Sequence, residues 1–293
     1  MDLKPLREDR RHGTPEFPFA TYEQERMSHA TVLDTHWHEE AEFIWMTSGQ
    51  AQFQIGMHNY RIGTGEALFI PSGEIHGGYP LEEESCSYRA IVFHPEWLTG
   101  SRDGIAAQYL KPLQRGEAVI PSEYDELTPW GKLALQRLTH LYLLFESEDE
   151  AKEIRVKAEL YLLFADLISA GQWKLKDPAS VMDTHTIDRL KAVVAHIEKH
   201  CGLPLSVSEL ARVAGMSAGH FSRVFKTFMR KTPMEYVNQF RIRQAAYMLQ
   251  NSDFSVAEVA LEVGLSNFSY FSKTFKSVYG CTPSAYRKKF RNL

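Results

Sequence analysis

The sequence has few cysteines and no long apolar run, and each scarcity excludes a class of protein. Its 293 residues include three cysteines, Cys86, Cys201 and Cys281, an odd and scattered set that fits a reducing cytosol better than a disulfide framework. No segment reaches the roughly 18 consecutive apolar residues that a membrane-spanning helix needs. The charged start, residues 1–11, has no apolar stretch behind it, so we expect no secretory signal. The sequence therefore predicts a cytoplasmic protein without a membrane partner.

Acidic residues are scarce in the C-terminal part of the chain. Residues 186–293 contain 16 Lys and Arg against 7 Asp and Glu, a formal charge of +9, and no acid follows Glu262. The preceding residues carry a formal charge of −13, so the net value of −4 conceals two parts of opposite sign. A polyanion such as DNA is the partner that this asymmetry favours, and a merely solvated basic face is the other interpretation.

The length predicts two domains, and the first begins with short strands. Segments such as residues 53–62 and 66–73 alternate apolar and polar positions between closely spaced turn residues, which is typical of an all-β barrel or sandwich. We predict a barrel domain in residues 1–125. The glycines that we expect in its turns are Gly49, Gly56, Gly63, Gly65, Gly73, Gly77 and Gly78.

Two amphipathic helices are predicted after the strands. Apolar residues recur at three-to-four spacing over residues 128–145 and 153–170, with a charged connection between them. We expect this hairpin, residues 126–170, to seal the barrel core or to pair with a second copy of the chain, and we favour a homodimer. Glycine and proline then mark residues 171–185 as a linker.

The remaining domain, residues 186–293, reads as short helices with an internal repeat. Residues 206–217 match residues 255–266 at an offset of 49, and the following segments align at an offset of 50 because the second copy has one more residue after its turn. Such a repeat indicates two copies of one supersecondary unit. The pairs include Phe221 with Phe271, Phe225 with Phe275, Lys226 with Lys276 and Pro233 with Pro283.

Each copy has the residues of a helix-turn-helix unit, at about 206–228 and 255–278. A serine N-cap with a glutamate three residues later predicts a capping box. A glycine then allows the left-handed turn, and a second serine caps the next helix. These residues are Ser206, Glu209, Gly215 and Ser217 in the first copy and Ser255, Glu258, Gly264 and Ser266 in the second.

The second helix of each unit has an apolar face and an opposite face of small and basic residues. Small residues let a helix approach base edges, and arginine or lysine can contact guanine, whereas other cations suit phosphates. A helical domain that binds protein is the rival interpretation. The predicted base contacts are Gly219, Ser222, Arg223, Ser269, Tyr270 and Lys273, and the predicted phosphate contacts are Lys226, Arg230, Lys231 and Lys276.

These residues resemble the AraC/XylS family of bacterial transcription regulators. The stretch RIRQAAYMLQNSDFSVAEVALEVGLSNFSYFSKTFKSVYGCTPSAYRK, residues 241–288, is similar to the family signature almost throughout, and the resemblance covers residues 186–291. It implies seven helices, with two helix-turn-helix units bridged by a long helix at about residues 233–250. It also implies that both units insert into successive major grooves of double-stranded DNA.

Two motifs in the N-terminal domain, His36-x-His38-x3-Glu42-x6-Gly49 and Gly65-x5-Pro71-x-Gly73-x2-His76, resemble those of the cupin barrel. His36, His38 and Glu42 differ by even numbers, so on a strand they share one face, where we expect them to converge with His76. In cupin enzymes such a set is a metal site, and it suits a divalent Zn, Fe, Mn or Ni ion. The first motif comprises His36, His38, Glu42 and Gly49 and the second Gly65, Pro71, Gly73 and His76, with departures at Ala30 and Pro80.

Three interpretations of the set of His36, His38, Glu42 and His76 stay open. It forms the pocket of a small organic effector, which we favour, or holds a divalent metal, or has a purely structural role. Four aromatic residues are candidates for an apolar wall of the pocket or for plain core: Trp45, Phe53, Phe69 and Phe93.

Together the patterns predict an α+β multidomain protein with a cupin-like β-barrel, a helical hairpin and an all-α domain with two helix-turn-helix units. We expect a DNA-binding transcription regulator, not an enzyme, that responds to a small-molecule effector in the barrel. Its expected partners are double-stranded DNA, a second copy of itself and, if it is an activator, RNA polymerase. The alternatives are a metal-sensing regulator, a cupin enzyme fused to a DNA-binding domain, and a DNA-binding protein whose barrel serves only for dimerisation.

Overall fold

Two units divide the chain, one ending at residue 185 and the other beginning at residue 186. The computed structural model describes residues 6–8, 10–26, 31–81, 85–99, 104–176 and 182–291. Residues 177–181 of the predicted linker therefore lie outside the described residues. Within the described residues, no helix combines the length and the apolar character needed to cross a membrane. The three cysteines are unpaired.

Two antiparallel sheets form most of the N-terminal unit. The strand order is β1-β8-β3-β6-β10 in the five-stranded sheet and β2-β7-β4-β5 in the four-stranded sheet, and β9 pairs separately with β11. The strands are β1 (Phe19–Arg26), β2 (Leu33–His36), β3 (Ala41–Ser48), β4 (Gln50–Ile55), β5 (His58–Gly63), β6 (Ala67–Ile70), β7 (His76–Pro80), β8 (Cys86–Phe93), β9 (Ala118–Val119), β10 (Glu123–Tyr124) and β11 (Lys174–Leu175).

The five-stranded sheet is apolar on both faces. Six consecutive residues of β3, from Ala41 to Met46, are buried. Phe43 and Trp45 belong to a core cluster shared with helices, whereas Ile44 and Met46 pack with residues of the four-stranded sheet. A sheet with two apolar faces needs a packed layer on each side. The strands therefore form two open sheets packed as a cupin-like sandwich, which agrees with the predicted cupin-like β domain.

A helical hairpin supplies the layer on the outer face of the five-stranded sheet. The chain reaches it from β8 through a 3-10 turn (Pro95–Leu98), a π-helical turn (Ala106–Leu110) and α1 (Lys111–Gln114). The hairpin itself consists of α2 (Pro129–Glu146) and α3 (Lys152–Ser169), close to the predicted limits. Its buried side chains seal the core, each contributing about 1.5–3 kcal/mol. They include Leu138, Leu141, Leu160, Leu163 and Phe164.

Gly77 and Gly78 lie inside β7 and not in a turn, contrary to the prediction. A Cβ atom at Gly77 would lie 2.8 Å from Thr35 Oγ1, and one at Gly78 would lie 2.8 Å from the ring of Phe53. The two glycines therefore allow the neighbouring strands and a core aromatic ring to approach the backbone of β7.

The C-terminal unit has seven helices in its described residues, the number that the family resemblance implies. The first and fourth are long, and the others are between 7 and 12 residues. They are α4 (Met182–His200), α5 (Val207–Val213), α6 (Ala218–Met229), α7 (Pro233–Asn251), α8 (Val256–Glu262), α9 (Phe268–Tyr279) and α10 (Pro283–Arg291).

Helix α7 connects the two halves of this unit, because it contacts α5 and α6 on one side and α8, α9 and α10 on the other. Its Arg241 is 7% exposed. The guanidinium donates from Nε to the Cys201 carbonyl (2.8 Å) and from Nη2 to the Leu203 carbonyl (2.7 Å). These bonds satisfy a buried cation with main-chain acceptors at the end of α4 and stabilise the position of α7.

Candidate functional site

The first helix-turn-helix unit consists of α5 and α6. The Ser206 hydroxyl accepts from the Glu209 amide and the Ser217 hydroxyl from the His220 amide, so both predicted N-caps are present. Gly215 has a φ of 62°, the left-handed conformation that the turn requires. The Glu209 carboxylate lies 3.2 Å from His196 Nε2, and no bond back to Ser206 is seen in the part that the structure describes. The predicted capping box is thus only half formed.

The second unit, α8 and α9, begins with a complete capping box. Ser255 accepts from the Glu258 amide, and the Glu258 carboxylate accepts from the Ser255 amide. The next cap differs from the prediction, because Asn267 and not Ser266 accepts from the Tyr270 amide. The additional residue of the second copy lies at this turn and shifts the start of α9 by one position.

The outward faces of α6 and α9 carry the predicted DNA contacts. On α6, Phe221 and Phe225 are fully buried and the opposite face is solvent-accessible, as the phase of the sequence pattern predicts; α9 repeats this with Phe271 and Phe275. Ser222 is half-buried and donates from Oγ to the Ala218 carbonyl (2.8 Å). The exposed predicted residues are Gly219, Arg223, Lys226, Arg230, Ser269, Tyr270, Lys273 and Lys276, and Lys231 is half-buried.

Two of the predicted contact residues have structural features that the sequence did not indicate. Asn238 of α7 donates to the Tyr270 hydroxyl (3.1 Å) and thereby fixes this side chain on the exposed flank of α9. Arg230 ends α6 with a φ of 53°, the left-handed conformation that usually favours glycine.

In the N-terminal unit, the side chains of His36, His38, Glu42 and His76 meet at one end of the sandwich. Each offers a ligand atom, and these atoms all lie within 4.8 Å of one another. The predicted reason was wrong, since the first three residues do not lie on one strand. His36 ends β2 and Glu42 lies in β3 of the other sheet, with His38 in the connection between them. His76 comes from β7 as the register partner of His36.

Main-chain carbonyls fix the orientation of the three imidazoles. Nδ1 of His36 donates to the Asp34 carbonyl (2.7 Å). In the same way, Nδ1 of His38 donates to the Glu40 carbonyl (3.1 Å), and Nδ1 of His76 donates to the Glu74 carbonyl (2.9 Å). A carbonyl can only accept, so Nδ1 carries the hydrogen in each ring. Each Nε2 therefore presents either a lone pair or a second proton at the opposite edge of the ring. This is the arrangement by which second-sphere groups orient histidine ligands of metals.

Glu42 faces two of these Nε2 atoms. Its Oε2 lies 3.3 Å from Nε2 of His38 and 3.3 Å from Nε2 of His76. Burial raises the pKa of Glu42, but its contacts with His38 and His76 outweigh this effect and hold the pKa well below its usual range. Burial lowers the pKa of His38, and the Glu42 hydrogen bond and charge outweigh it, so the pKa is raised. The 3.3 Å contact between His38 Nε2 and Glu42 Oε2 is a buried hydrogen bond.

His76 is the histidine of the set whose Nε2 lacks a hydrogen-bond partner among the described residues. It is 2% exposed, and Glu42 Oε2 lies near this nitrogen. Burial, together with the charges of His36 and His38, lowers the pKa of His76 to about 4, although the nearby Glu42 carboxylate acts in the opposite direction. Since Nδ1 donates to the Glu74 carbonyl, a neutral His76 turns the lone pair of Nε2 towards this carboxylate. Two acceptors in contact repel one another unless a cation lies between them.

Sequence reasoning missed two residues beside this set, Glu8 and His12. Glu8 Oε2 lies 3.2 Å from Nε2 of His36 and 3.5 Å from Nε2 of His12. His12 Nδ1 is 2.9 Å from the Tyr22 hydroxyl. Burial raises the pKa of Glu8, and contacts with the two histidines outweigh it and hold the pKa far below its usual range. No local periodicity links these residues to His36, so only the long-range fold reveals them.

The four predicted aromatic residues do not line the histidine–glutamate centre. Trp45, Phe69 and Phe93 belong to the core under the helical hairpin, and Phe53 lies in the core between the sheets. A separate, mainly apolar pocket opens on the hairpin side of the five-stranded sheet, opposite the face that carries Glu42. Its lining includes Ala41, Phe69, Phe93, Leu98, Leu110, Leu113 and Phe164.

The outer face of α3 is apolar and exposed. Ile154 is 75% exposed and Leu162 is 44% exposed. Ala158 lies between them on the same face, Ala165 follows Leu162 by three residues, and both alanines are exposed. The spacing of four, four and three residues is that of a seam between two helices.

Comparison with protein families identifies both units. Residues 17–164 match the family described as "AraC-like ligand binding domain". Residues 210–289 match the family described as "Helix-turn-helix domain".

Relatives align with the chain over most of its length. The HTH-type transcriptional regulator YdeC of Bacillus subtilis, itself uncharacterized, is 26% identical over 98% of this chain and 97% of its own. The transcriptional activator RhaR of Mannheimia succiniciproducens is 24% identical over 98% of this chain and 92% of its own. The MmsAB operon regulatory protein of Pseudomonas aeruginosa is 28% identical over 87% of this chain and 77% of its own.

Similar solved structures include a DNA complex. The DNA-binding domain of the transcriptional factor AdpA with a target DNA is 33% identical, covers 36% of this chain and 94% of its own, and has a TM-score of 0.35. ToxT of Vibrio cholerae with a bound unsaturated fatty acid is 13% identical, covers 94% of this chain and 96% of its own, and has a TM-score of 0.39.

Proposed function

Because this chain belongs to the AraC family of DNA-binding transcription regulators, we propose that the histidine–glutamate centre is its effector site and that the effector is a divalent metal ion. The chain is a regulator with a ligand-binding domain and a helix-turn-helix DNA-binding domain, and its relatives are transcription regulators. In this proposal the centre senses an ion and does not catalyse a reaction. Metal binding alters the DNA affinity because the ion binds one arrangement of the protein better than another.

The observation that carries this proposal is the unsatisfied Nε2 of His76. A buried lone pair that faces a carboxylate is unfavourable without a cation, and the Nε2 atoms of His36 and His38 lie in the same group of ligand atoms. Three imidazoles and one carboxylate suit a first-row divalent ion such as Zn²⁺, Fe²⁺, Mn²⁺ or Ni²⁺. The residues present therefore fit a metal. A bound ion would supply positive charge between the imidazoles and the Glu42 carboxylate.

Elemental mass spectrometry on untagged protein purified without chelator tests this proposal. We expect about one metal ion per chain in the wild type and in His58→Ala, a control at an exposed histidine of the same unit. We expect loss of the ion in the double variant His36→Ala/His38→Ala, with folding checked by circular dichroism. Fluorescence anisotropy with operator DNA then measures whether added metal changes the affinity. A wild type that neither contains nor takes up metal would contradict the proposal.

A second candidate is an apolar organic effector in the pocket between the sheet and the hairpin. The observation that favours it is the lining of that pocket by aromatic and aliphatic side chains, among them Phe69, Phe93 and Phe164, which is typical of small-molecule sites. Thermal-shift screening of the wild type against Phe164→Trp, which fills this pocket and leaves the histidine–glutamate centre unchanged, distinguishes the two candidates.

The proposed DNA contacts lie on the outward faces of α6 and α9. Arg223 and Lys273 occupy equivalent positions on these faces and are exposed, so they are the proposed readers of base edges, with Gly219, Ser222, Ser269 and Tyr270 beside them. Lys226 and Lys276, one turn later, together with Arg230 and Lys231 are the proposed phosphate contacts. RNA polymerase is a further proposed partner at promoters that the protein activates.

The proposed homodimer uses the outer face of α3. The exposed apolar residues Ile154 and Leu162 support it, because an apolar helix seam of this kind is stabilised by pairing with its copy. Light scattering coupled to gel filtration should show a dimer in the wild type and a monomer in Leu162→Glu. Leu127→Glu, a change at a 90% exposed leucine outside the hairpin helices, is the matched control. An unchanged mass in Leu162→Glu would exclude this face.

A further inference from the structure

Glu8 lies at the margin of the histidine–glutamate centre and comes from the segment that precedes β1. Its side chain is 12% exposed. Glu8 Oε2 is 3.2 Å from Nε2 of His36, the ring nitrogen that the other contacts of His36 leave for a metal. It is not one of the four residues whose ligand atoms lie within 4.8 Å of one another. Glu8 therefore touches one member of the centre without yet belonging to it.

The distance between Glu8 and His36 is that of two neighbouring ligands of one ion. Zinc lies about 2.0–2.2 Å from nitrogen and oxygen ligands, so adjacent ligand atoms are separated by about 3.0–3.5 Å for octahedral to tetrahedral angles. The contacts of Glu42 with His38 and His76, 3.3 Å each, have the same spacing. Coordination by Glu8 requires its side chain to reorient towards the other ligand atoms, since its carboxylate is not among those that lie within 4.8 Å of one another.

The two carboxylates at the centre, those of Glu42 and Glu8, favour the binding of a divalent cation. The side chains of Glu42 and Glu8 are 7% and 12% exposed, and each carboxylate lies within 3.5 Å of two imidazole nitrogens. A buried pair of negative charges is costly unless it is compensated. One divalent ion neutralises both carboxylates and leaves the imidazoles neutral, which is the form in which histidine binds metals.

The segment around Glu8 is held in place on both sides of this residue. The Glu8 amide donates to the Trp37 carbonyl (2.9 Å), and the Trp37 amide donates to the Leu6 carbonyl (2.8 Å). Leu6 is 3% exposed, and Arg7 forms an ion pair with Glu39 (2.7 Å). Trp37 lies between two residues of the centre, so the same connection positions both Glu8 and its histidine neighbours.

We propose that Glu8 is a fifth ligand of the metal centre, so that a bound divalent ion ties the segment before β1 to the sandwich. This inference rests on the proposed metal-sensing function. It adds a ligand that neither cupin motif contains, and it predicts that ion binding further stabilises residues 6–8 and 10–17 on the sandwich.

Cobalt titration of the full chain tests the role of Glu8. The variants are Glu8→Gln, which keeps the shape and removes the charge, and Glu39→Gln, which removes the same charge from the solvent-facing ion pair of the same segment. The probe is Co²⁺, because its visible absorption depends on the number and type of its ligands. Hydrogen–deuterium exchange of residues 10–17 with and without Co²⁺ reports whether the ion orders the segment.

We expect Glu8→Gln to weaken Co²⁺ binding about tenfold or more, to alter the absorption spectrum and to lose the cobalt-dependent protection of residues 10–17. Glu39→Gln should match the wild type in affinity and spectrum. An unchanged affinity in Glu8→Gln, or a weaker affinity with an unchanged spectrum, would overturn the role of Glu8 alone. A wild type that binds no Co²⁺ would overturn the metal centre together with this inference. Thermal unfolding without metal checks that Glu8→Gln is folded, and Glu8→Ala provides an independent second variant.

Discussion

At the scale of single residues, the two DNA-facing helices differ in which side chains remain available to bases. The Ser222 hydroxyl already donates to the Ala218 carbonyl, and the Tyr270 hydroxyl already accepts from Asn238. Arg223 and Lys273, by contrast, extend from exposed positions. Base discrimination should therefore depend mainly on these two long cationic side chains.

The first prediction concerns these two residues. Arg223→Ala and Lys273→Ala should each weaken binding to the operator by about 1–3 kcal/mol and relax the preference at one base position, because each removes a base contact. Lys226→Ala should weaken binding to all sequences alike and reduce the salt slope by about one unit, because it removes a phosphate contact. Anisotropy titrations with operator and unrelated DNA at several salt concentrations measure both effects. Operator binding by Arg223→Ala at the wild-type affinity would show that α6 does not read bases.

The second prediction concerns the pH dependence of the capping box at Ser255. The Ser255 amide donates to the Glu258 carboxylate, and this hydrogen bond lowers the pKa of Glu258. Because the folded-state pKa lies below the unfolded one, the ionised carboxylate stabilises the fold above the unfolded pKa. This stabilisation is lost as the pH falls through the lowered pKa of the folded state.

The urea midpoint of Glu258→Gln, measured between pH 3 and 7, tests this sign. The wild type should exceed the variant in stability at pH 6–7, and the difference should shrink as the pH falls below about 4.5, the ordinary pKa of a glutamate. Glu262→Gln, at an exposed glutamate of the same helix, should follow the wild type. A difference that grows towards low pH would contradict the assigned bond.

At the scale of secondary structure, the sequence predicts helices better than it predicts the joining of strands. The hairpin helices and the two helix-turn-helix units have an apolar period of three to four residues, a local signal that persists in the folded protein. The sandwich depends on pairings such as β1 with β8, which no short-range pattern reveals. Gly77 and Gly78 illustrate this limit, because a glycine pair resembles a turn unless the neighbouring strand is known.

The histidine–glutamate centre was likewise predictable from local sequence only in part. The spacing of His36, His38 and Glu42 indicates that they belong together, but the chain leaves β2 after His36 and enters a different sheet at Ala41. The three side chains thus converge as predicted, but they come from two strands and the connection between them and not from one face of a single strand. Glu8 contacts His36 across 28 positions of sequence, and no motif indicates this contact.

The third prediction concerns the start of α9. Asn267→Ala should destabilise the protein by about 1 kcal/mol, because it removes the side chain that accepts from the Tyr270 amide. Ser266→Ala, one position earlier, should change the stability by less than about 0.5 kcal/mol. Urea denaturation followed by circular dichroism compares the two variants. Equal losses, or a larger loss in Ser266→Ala, would favour the cap that the repeat alone predicts.

At the scale of the whole molecule, charge is divided between a ligand-binding unit and a DNA-binding unit. The part before residue 186 carries −13 and the remainder +9. The basic unit attracts DNA over distances comparable with the Debye length, and the acidic unit opposes non-specific contact with the same polyanion. If the proposed histidine–glutamate centre regulates DNA binding, its signal reaches α6 and α9 as a change in the free energy of DNA binding.

The last prediction follows from this requirement. If a metal ion changes the operator affinity by some factor, the operator must change the metal affinity by the same factor, because the two binding free energies belong to one thermodynamic cycle. We expect a factor of about 5–150, the usual range of coupling between sites. Anisotropy with and without saturating Zn²⁺ gives one side of the cycle, and competition with a chromophoric chelator with and without operator gives the other.

The variant His36→Ala/His38→Ala should bind operator with an affinity independent of Zn²⁺, whereas His58→Ala should retain the full factor. A Zn²⁺-loaded wild type whose operator affinity equals that of the metal-free protein would show that the ion stabilises the sandwich without regulating DNA binding. Unequal factors on the two sides would instead reveal additional Zn²⁺ bound elsewhere on the complex.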